Sequence, residues 1–134
     1  MGVCCMTHAD QARLLLRKAS QDQDILERLI GDPSIEDESL GFHAQQAAEK
    51  LLKALLVIHG LDYPRTHDLD LLLGLLERGG VVIPDPLQRV VELSPMATVY
   101  RYEDLPLDLN LPRGQWPHWI AGLRAMVEAK LGSA

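Results

Sequence analysis

The chain is 134 residues long, carries a net charge of −6 at neutral pH, and is 47 % apolar but only 4 % aromatic. That length suits one domain with a substantial core, and the scarcity of aromatics requires the core to be aliphatic. The acidic balance excludes a general nucleic-acid binder, because non-specific affinity needs a surplus of Lys and Arg to release counterions. RNA is left with a local basic pocket, and no DNA binding is expected.

No apolar run reaches the roughly 18 residues of a membrane span, so no membrane partner is expected. The start, MGVCCMTH, lacks the charged and apolar regions of a secretory signal. Met6 stands where myristoylation of Gly2 would need Ser or Thr. Cys4 and Cys5 are adjacent and make no disulfide framework. These features point to the cytoplasm, with residues 1–6 as a frayed terminus.

Thr7-His-Ala-Asp is a helix-start signature. Ala12, Leu15, Leu16, Ala19, Leu26 and Leu29 then keep helical spacing to about Ile30, where Gly31-Asp32-Pro33 ends the helix. The acidic link SIEDES follows, with Ser39 as the expected cap of the second helix. Two long helices joined so briefly pack antiparallel. Phe42 to His59 holds no Gly or Pro and is rich in Ala, Leu, Lys, Gln and Glu, all good helix formers. Its apolar stripe is Ala44, Ala47, Ala48, Leu51, Leu55 and Ile58, and His43, Gln46, Lys50 and Lys53 share a polar stripe. Gly60 suits the left-handed end of that helix, and Tyr63-Pro64 cannot continue it.

Thr66 is expected to cap a third helix from about His67 to Arg78, buried through Leu69, Leu72, Leu73 and Leu76 and stopped by Gly79-Gly80. Val81-Val82-Ile83 reads as a connector. Asp85-Pro86 opens a fourth helix through Leu87, Val90, Val91 and Leu93, which Ser94-Pro95 kinks or ends. Residues 96–115 are the longest irregular stretch, with residues 103–115 as a long loop of the kind that often carries function. Trp116-Pro117 starts the last helix, with Ile120, Leu123, Val127 and Leu131 on its core face. The chain is therefore expected to form a single domain over residues 1–134, an all-α up-and-down bundle of about five helices. Leu52, Leu56, Leu71 and Leu75 fall off the main stripes, and such surplus apolar surface points to a homodimer.

The stretch FHAQQAAEKLLKALL, followed by HGLDYPRTHDL, resembles the HEPN domain (higher eukaryotes and prokaryotes nucleotide-binding) in its prokaryotic stand-alone branch. The resemblance implies the HEPN component of a two-gene toxin–antitoxin-like module, partnered by a minimal nucleotidyltransferase. Two other readings stay open: a non-catalytic nucleotide-binding or scaffolding module, and a metal-independent RNase. HEPN RNases carry an Arg and a His separated by four to six residues, and Arg113-Gly-Gln-Trp-Pro-His118 is a literal match. The resemblance implies that His118 would move the proton of a ribose 2′-hydroxyl while Arg113 stabilised the phosphate. The competing reading makes Arg113 a loop residue and places His118 on an exposed first turn.

A second constellation is His43, Gln46, Lys50, Arg65 and His67, joined by Arg101 between Tyr100 and Tyr102. Its functional reading is a polar cleft that holds a nucleotide or RNA phosphate, or the acidic loop of a partner. Its bland reading is helix solvation for Lys50 and Lys53 and a first-turn position for His67. No two histidines have helical metal-site spacing and no Cys-x-x-Cys occurs, so no metal and no other cofactor is expected.

Overall fold

The computed structural model of the chain describes residues 6–97 and 111–132. Tyr100, Arg101, Tyr102 and residues 103–110 of the long loop lie outside the described residues. Helix α1 spans His8–Leu29, where the Thr7 hydroxyl accepts from the Asp10 N–H at 3.0 Å and the Asp10 carboxylate accepts from Thr7 N–H in return. Helix α2 spans Asp37–Ile58. The 30–36 link reaches at most about 24 Å, less than the roughly 33 Å length of either helix. As α1 and α2 pack against each other, they run antiparallel.

Helix α2 starts earlier than its sequence suggests. Its N-cap is Glu36, with no side-chain cap bond, and Ser39 lies inside the first turns. Asp37 and Glu38 favour that start by placing negative charge at the positive end of the helix. Gly41 is carried within the helix because a Cβ there would lie 2.8 Å from the Met96 sulfur. The far end follows expectation. Gly60 takes φ +69°, Leu61 N–H donates to Leu56 O at 2.8 Å, and the chain leaves in a Schellman turn.

Helix α3 is Leu69–Arg78, two residues shorter at its start than the spacing predicts. The cap is Asp68, whose carboxylate accepts from the Asp70 and Leu71 N–H groups, and Thr66 instead accepts from Asp68 N–H in the turn before it. Gly80, at φ +83°, closes the helix. The fourth helix is also corrected. A single α-turn, α4 (Asp85–Gln88), passes into a 3₁₀ segment over Arg89–Ala97 that continues through Pro95. Proline has no N–H to give an α-helical ladder, and Ser94 beside it uses its hydroxyl to accept from Leu69 N–H at 3.0 Å. Helix α5 spans Trp116–Gly132, preceded by a 3₁₀ turn over Arg113–Gln115.

These elements make an all-α bundle, with no strand among the described residues. Helix α2 is its axis and touches α1, α3, α5 and the 3₁₀ segment. Leu52 and Leu56 are fully buried in that core rather than left over for a partner. A central helix meets neighbours on several sides, so a second apolar row on it is filled within one chain. Leu71 and Leu75 on α3 remain half-buried. No described helix is long and apolar enough to cross a membrane.

Candidate functional site

Two carboxylates organise the polar side of α2. Asp22 reaches across from α1 and is mostly buried. One of its oxygens accepts from Lys50 Nζ, and the other meets His43 Nδ1 at 3.0 Å. Glu49 is only 6 % exposed. It accepts from Lys53 Nζ at 2.8 Å, from Gln45 Nε2 at 3.0 Å and from His67 Nδ1 at 2.8 Å. Gln45 also donates to the His67 carbonyl, and Gln46 donates to the Gln45 side-chain oxygen at 2.7 Å. The result is a row of hydrogen-bonded groups that runs along α2 and into the loop before α3.

Burial pushes the Glu49 carboxyl up, but hydrogen bonds from Lys53, Gln45 and His67 outweigh it and hold the group below the usual carboxylate range. An ionised carboxylate only accepts. His67 therefore donates through Nδ1 and keeps Nε2 free for another group. His67 is well exposed, at 63 % of its side chain. Lys53 also lies 5.5 Å from the centre of the Tyr63 ring, a cation–π contact. Burial, then the nearby Glu49 charge, raises the Tyr63 hydroxyl above its ordinary value.

Arg65 sits in the same loop, two residues before His67. It is exposed and has no hydrogen bond or ion pair among the described residues. The sequence-predicted residues His43, Gln46, Lys50 and His67 are thus tied into this row, with Arg65 beside it in the chain. The sixth member, Arg101, lies outside the described residues.

Sequence reasoning missed the buried members, Asp22, Gln45 and Glu49. A signal for Asp22 existed: it falls on the buried stripe of α1, between Ala19 and Leu26. Gln45 and Glu49 share one helical row with Leu52 and Leu56, where polar side chains need partners to be buried.

Arg113 does something other than wait for a phosphate. Its Nε and Nη2 donate to the Ile30 carbonyl at 3.3 and 3.2 Å, and Nη2 also to the Asp32 carbonyl at 2.8 Å. Its Nη1 donates to the Ile35 carbonyl at 2.6 Å and to the Asp37 carboxylate at 3.0 Å. A guanidinium has five N–H donors, and these bonds use them all. Arg113 clamps the 30–37 link, and no donor remains for a phosphate oxygen in this arrangement. His118 is exposed on the first turn of α5. Among the described residues, no group of three or more His, Cys, Asp or Glu side chains is placed to hold a metal.

The fold is an all-α helical bundle. The HEPN domain model matches residues 12–109, most of the chain, and the protein belongs to the HEPN domain family. Comparison with curated proteins and with solved structures gives no match. Family membership supports a nucleotide- or RNA-related or RNase-type role.

Proposed function

We propose that this HEPN domain holds a nucleotide or RNA phosphate on the polar side of α2, as the HEPN component of a two-gene toxin–antitoxin-like module with a minimal nucleotidyltransferase partner. The observation that carries the reading is the row fixed by Asp22 and Glu49, with Arg65 left unpaired next to it. Lys50 and Lys53 balance Asp22 and Glu49 there, which leaves Arg65 as the unpaired cation beside the row in the chain. Arg65 is the phosphate fork. His67 Nε2 and His43, each oriented through Nδ1, supply further polar contacts. The partner's nucleotidyltransferase fold and a homodimeric state belong to the same proposal.

The non-catalytic form of this reading is favoured over RNA cleavage by Arg113 and His118, because the Arg113 fork is fully used by the 30–37 link. Calorimetric titration of the purified protein with a nucleoside triphosphate tests the site. Arg65→Ala should weaken binding about tenfold or more, the worth of one charge-assisted contact, with the helical circular dichroism unchanged. Equal affinity for wild type and Arg65→Ala would remove Arg65 from the site.

A further inference from the structure

His67 joins a buried carboxylate to solvent. Its side chain is mostly exposed, yet its Nδ1 lies 2.8 Å from a Glu49 oxygen that water barely reaches. Its backbone carbonyl also accepts from Gln45 Nε2 at 3.3 Å. The residue is thus tied to α2 at two points, with Nε2 left over. The carboxylate settles which ring nitrogen carries the proton, because it only accepts and Nδ1 must donate. In the neutral imidazole Nε2 then has a lone pair and no hydrogen. A phosphate oxygen is an acceptor too, and two acceptors make no hydrogen bond. The imidazolium, by contrast, has a donor at both nitrogens.

The charges around the ring are already spent. Lys53 is bonded to Glu49, and the Tyr63 ring faces that lysine. The acids nearest along the chain, Asp62, Asp68 and Asp70, are exposed, and Asp68 caps α3. On the 3₁₀ segment packed against α3, Arg89 and Glu92 bond to each other. On α1, Asp22 is taken by Lys50 and His43. As Lys53 balances Glu49, a proton on His67 adds a net positive charge to the site. Arg65 stands two residues away, at most about 7 Å along the chain.

We infer that His67 is a proton-gated contact to the ligand: its Nε2 donates to a phosphate of the bound nucleotide or RNA only as the imidazolium, so binding takes up a proton and tightens as pH falls. The inference rests on the phosphate site proposed above and adds its regulation. Arg65 keeps its charge at any physiological pH and holds the phosphate throughout, and His67 adds the second contact once protonated. The linkage is reciprocal. A ligand that binds the imidazolium form better raises the proton affinity of His67, and acid raises ligand affinity by the same factor.

Histidine changes charge between about pH 5 and pH 8, whereas a short oligouridine without a terminal phosphate has no group that titrates there. That range also lies above the one in which Glu49 takes its proton. Calorimetric titration of wild type with this probe, in buffers of different ionisation enthalpy, should show proton uptake on binding. Affinity should be about tenfold higher at the acidic end than at the alkaline end, the worth of one charge-assisted hydrogen bond. His67→Asn keeps an amide donor for Glu49 but has no Nε2, so it should bind with the alkaline affinity at every pH and take up no proton. Long-range ¹H–¹⁵N NMR of the wild-type ring should show a proton on Nδ1 alone at the alkaline end and on both nitrogens in the saturated acidic complex. Binding that Arg65→Ala weakens but that takes up no proton would overturn this inference and leave the phosphate site standing. Proton uptake that persists in His67→Asn would also overturn it, by assigning the proton to another group. Absence of oligouridine binding at every pH would overturn both the inference and the site.

Discussion

Arg113 and Glu49 are each held by several partners, and the chemistry of those partners decides what each can do. At Arg113 four of the five hydrogen bonds go to backbone carbonyls of the 30–37 link. Lysine carries the charge but not the planar fork, so Arg113→Lys should lower unfolding stability by roughly 2 kcal/mol in urea titrations. Purified wild type, incubated with RNA in chelator, should show no cleavage that Arg113→Ala or His118→Ala removes; cleavage lost in both variants would return this pair to catalysis. The Arg–His spacing was plain in the sequence. The carbonyls that consume Arg113 were not, because a backbone acceptor leaves no mark in the residue pattern. For Glu49 the reverse holds: its motif was visible, but its burial against Gln45, Lys53 and His67 depends on packing from the loop before α3.

Helix identities were legible and helix ends were less so. The aliphatic periods located α1, α2, α3 and α5, and Gly60 and Gly80 marked two ends through their positive φ. The misplaced starts have local causes. Several Asp, Ser and Thr residues compete to cap within a few positions, and only the fold selects Asp68 over Thr66. The α4 segment departs furthest, since its winding depends on Pro95 and on the tie from Ser94 to the start of α3. Two helical glycines give opposite forecasts. Gly41→Ala would drive a Cβ to 2.8 Å from a buried Met96 sulfur, and overpacking of that kind should cost about 1 kcal/mol net of the helix gain. Gly74→Ala meets only the end of the Arg78 side chain, at an ordinary 3.5 Å, and should raise stability by about 0.5–1 kcal/mol. Thermal melts of both variants check the signs, and a stabilised Gly41→Ala would contradict the packing account.

As a whole molecule, the chain is an acidic bundle whose central helix carries a row in which Lys50 and Lys53 are paired with Asp22 and Glu49. The pH dependence follows from Glu49, whose folded carboxyl lies below its ordinary 4.5. The unfolded chain therefore binds the proton first on acidification. The stabilisation is complete above about pH 4.5 and is lost as pH falls through the lowered folded value. Melts between pH 3 and pH 7 should show that loss, and Glu49→Gln should remove its share of the slope while costing roughly 3 kcal/mol near neutrality, because Lys53 is left unpaired and largely buried. A wild-type slope retained in Glu49→Gln would assign the acid sensitivity to other carboxylates.

The most direct test of the proposed phosphate site is a ¹H–¹⁵N NMR titration of the isotopically labelled chain with a nucleoside triphosphate, followed residue by residue. The account predicts saturable shifts concentrated between His43 and Lys53 and between Tyr63 and His67, and their loss in Arg65→Ala. Shifts centred on Arg113 and His118, or no saturable shift at millimolar nucleotide, would contradict it.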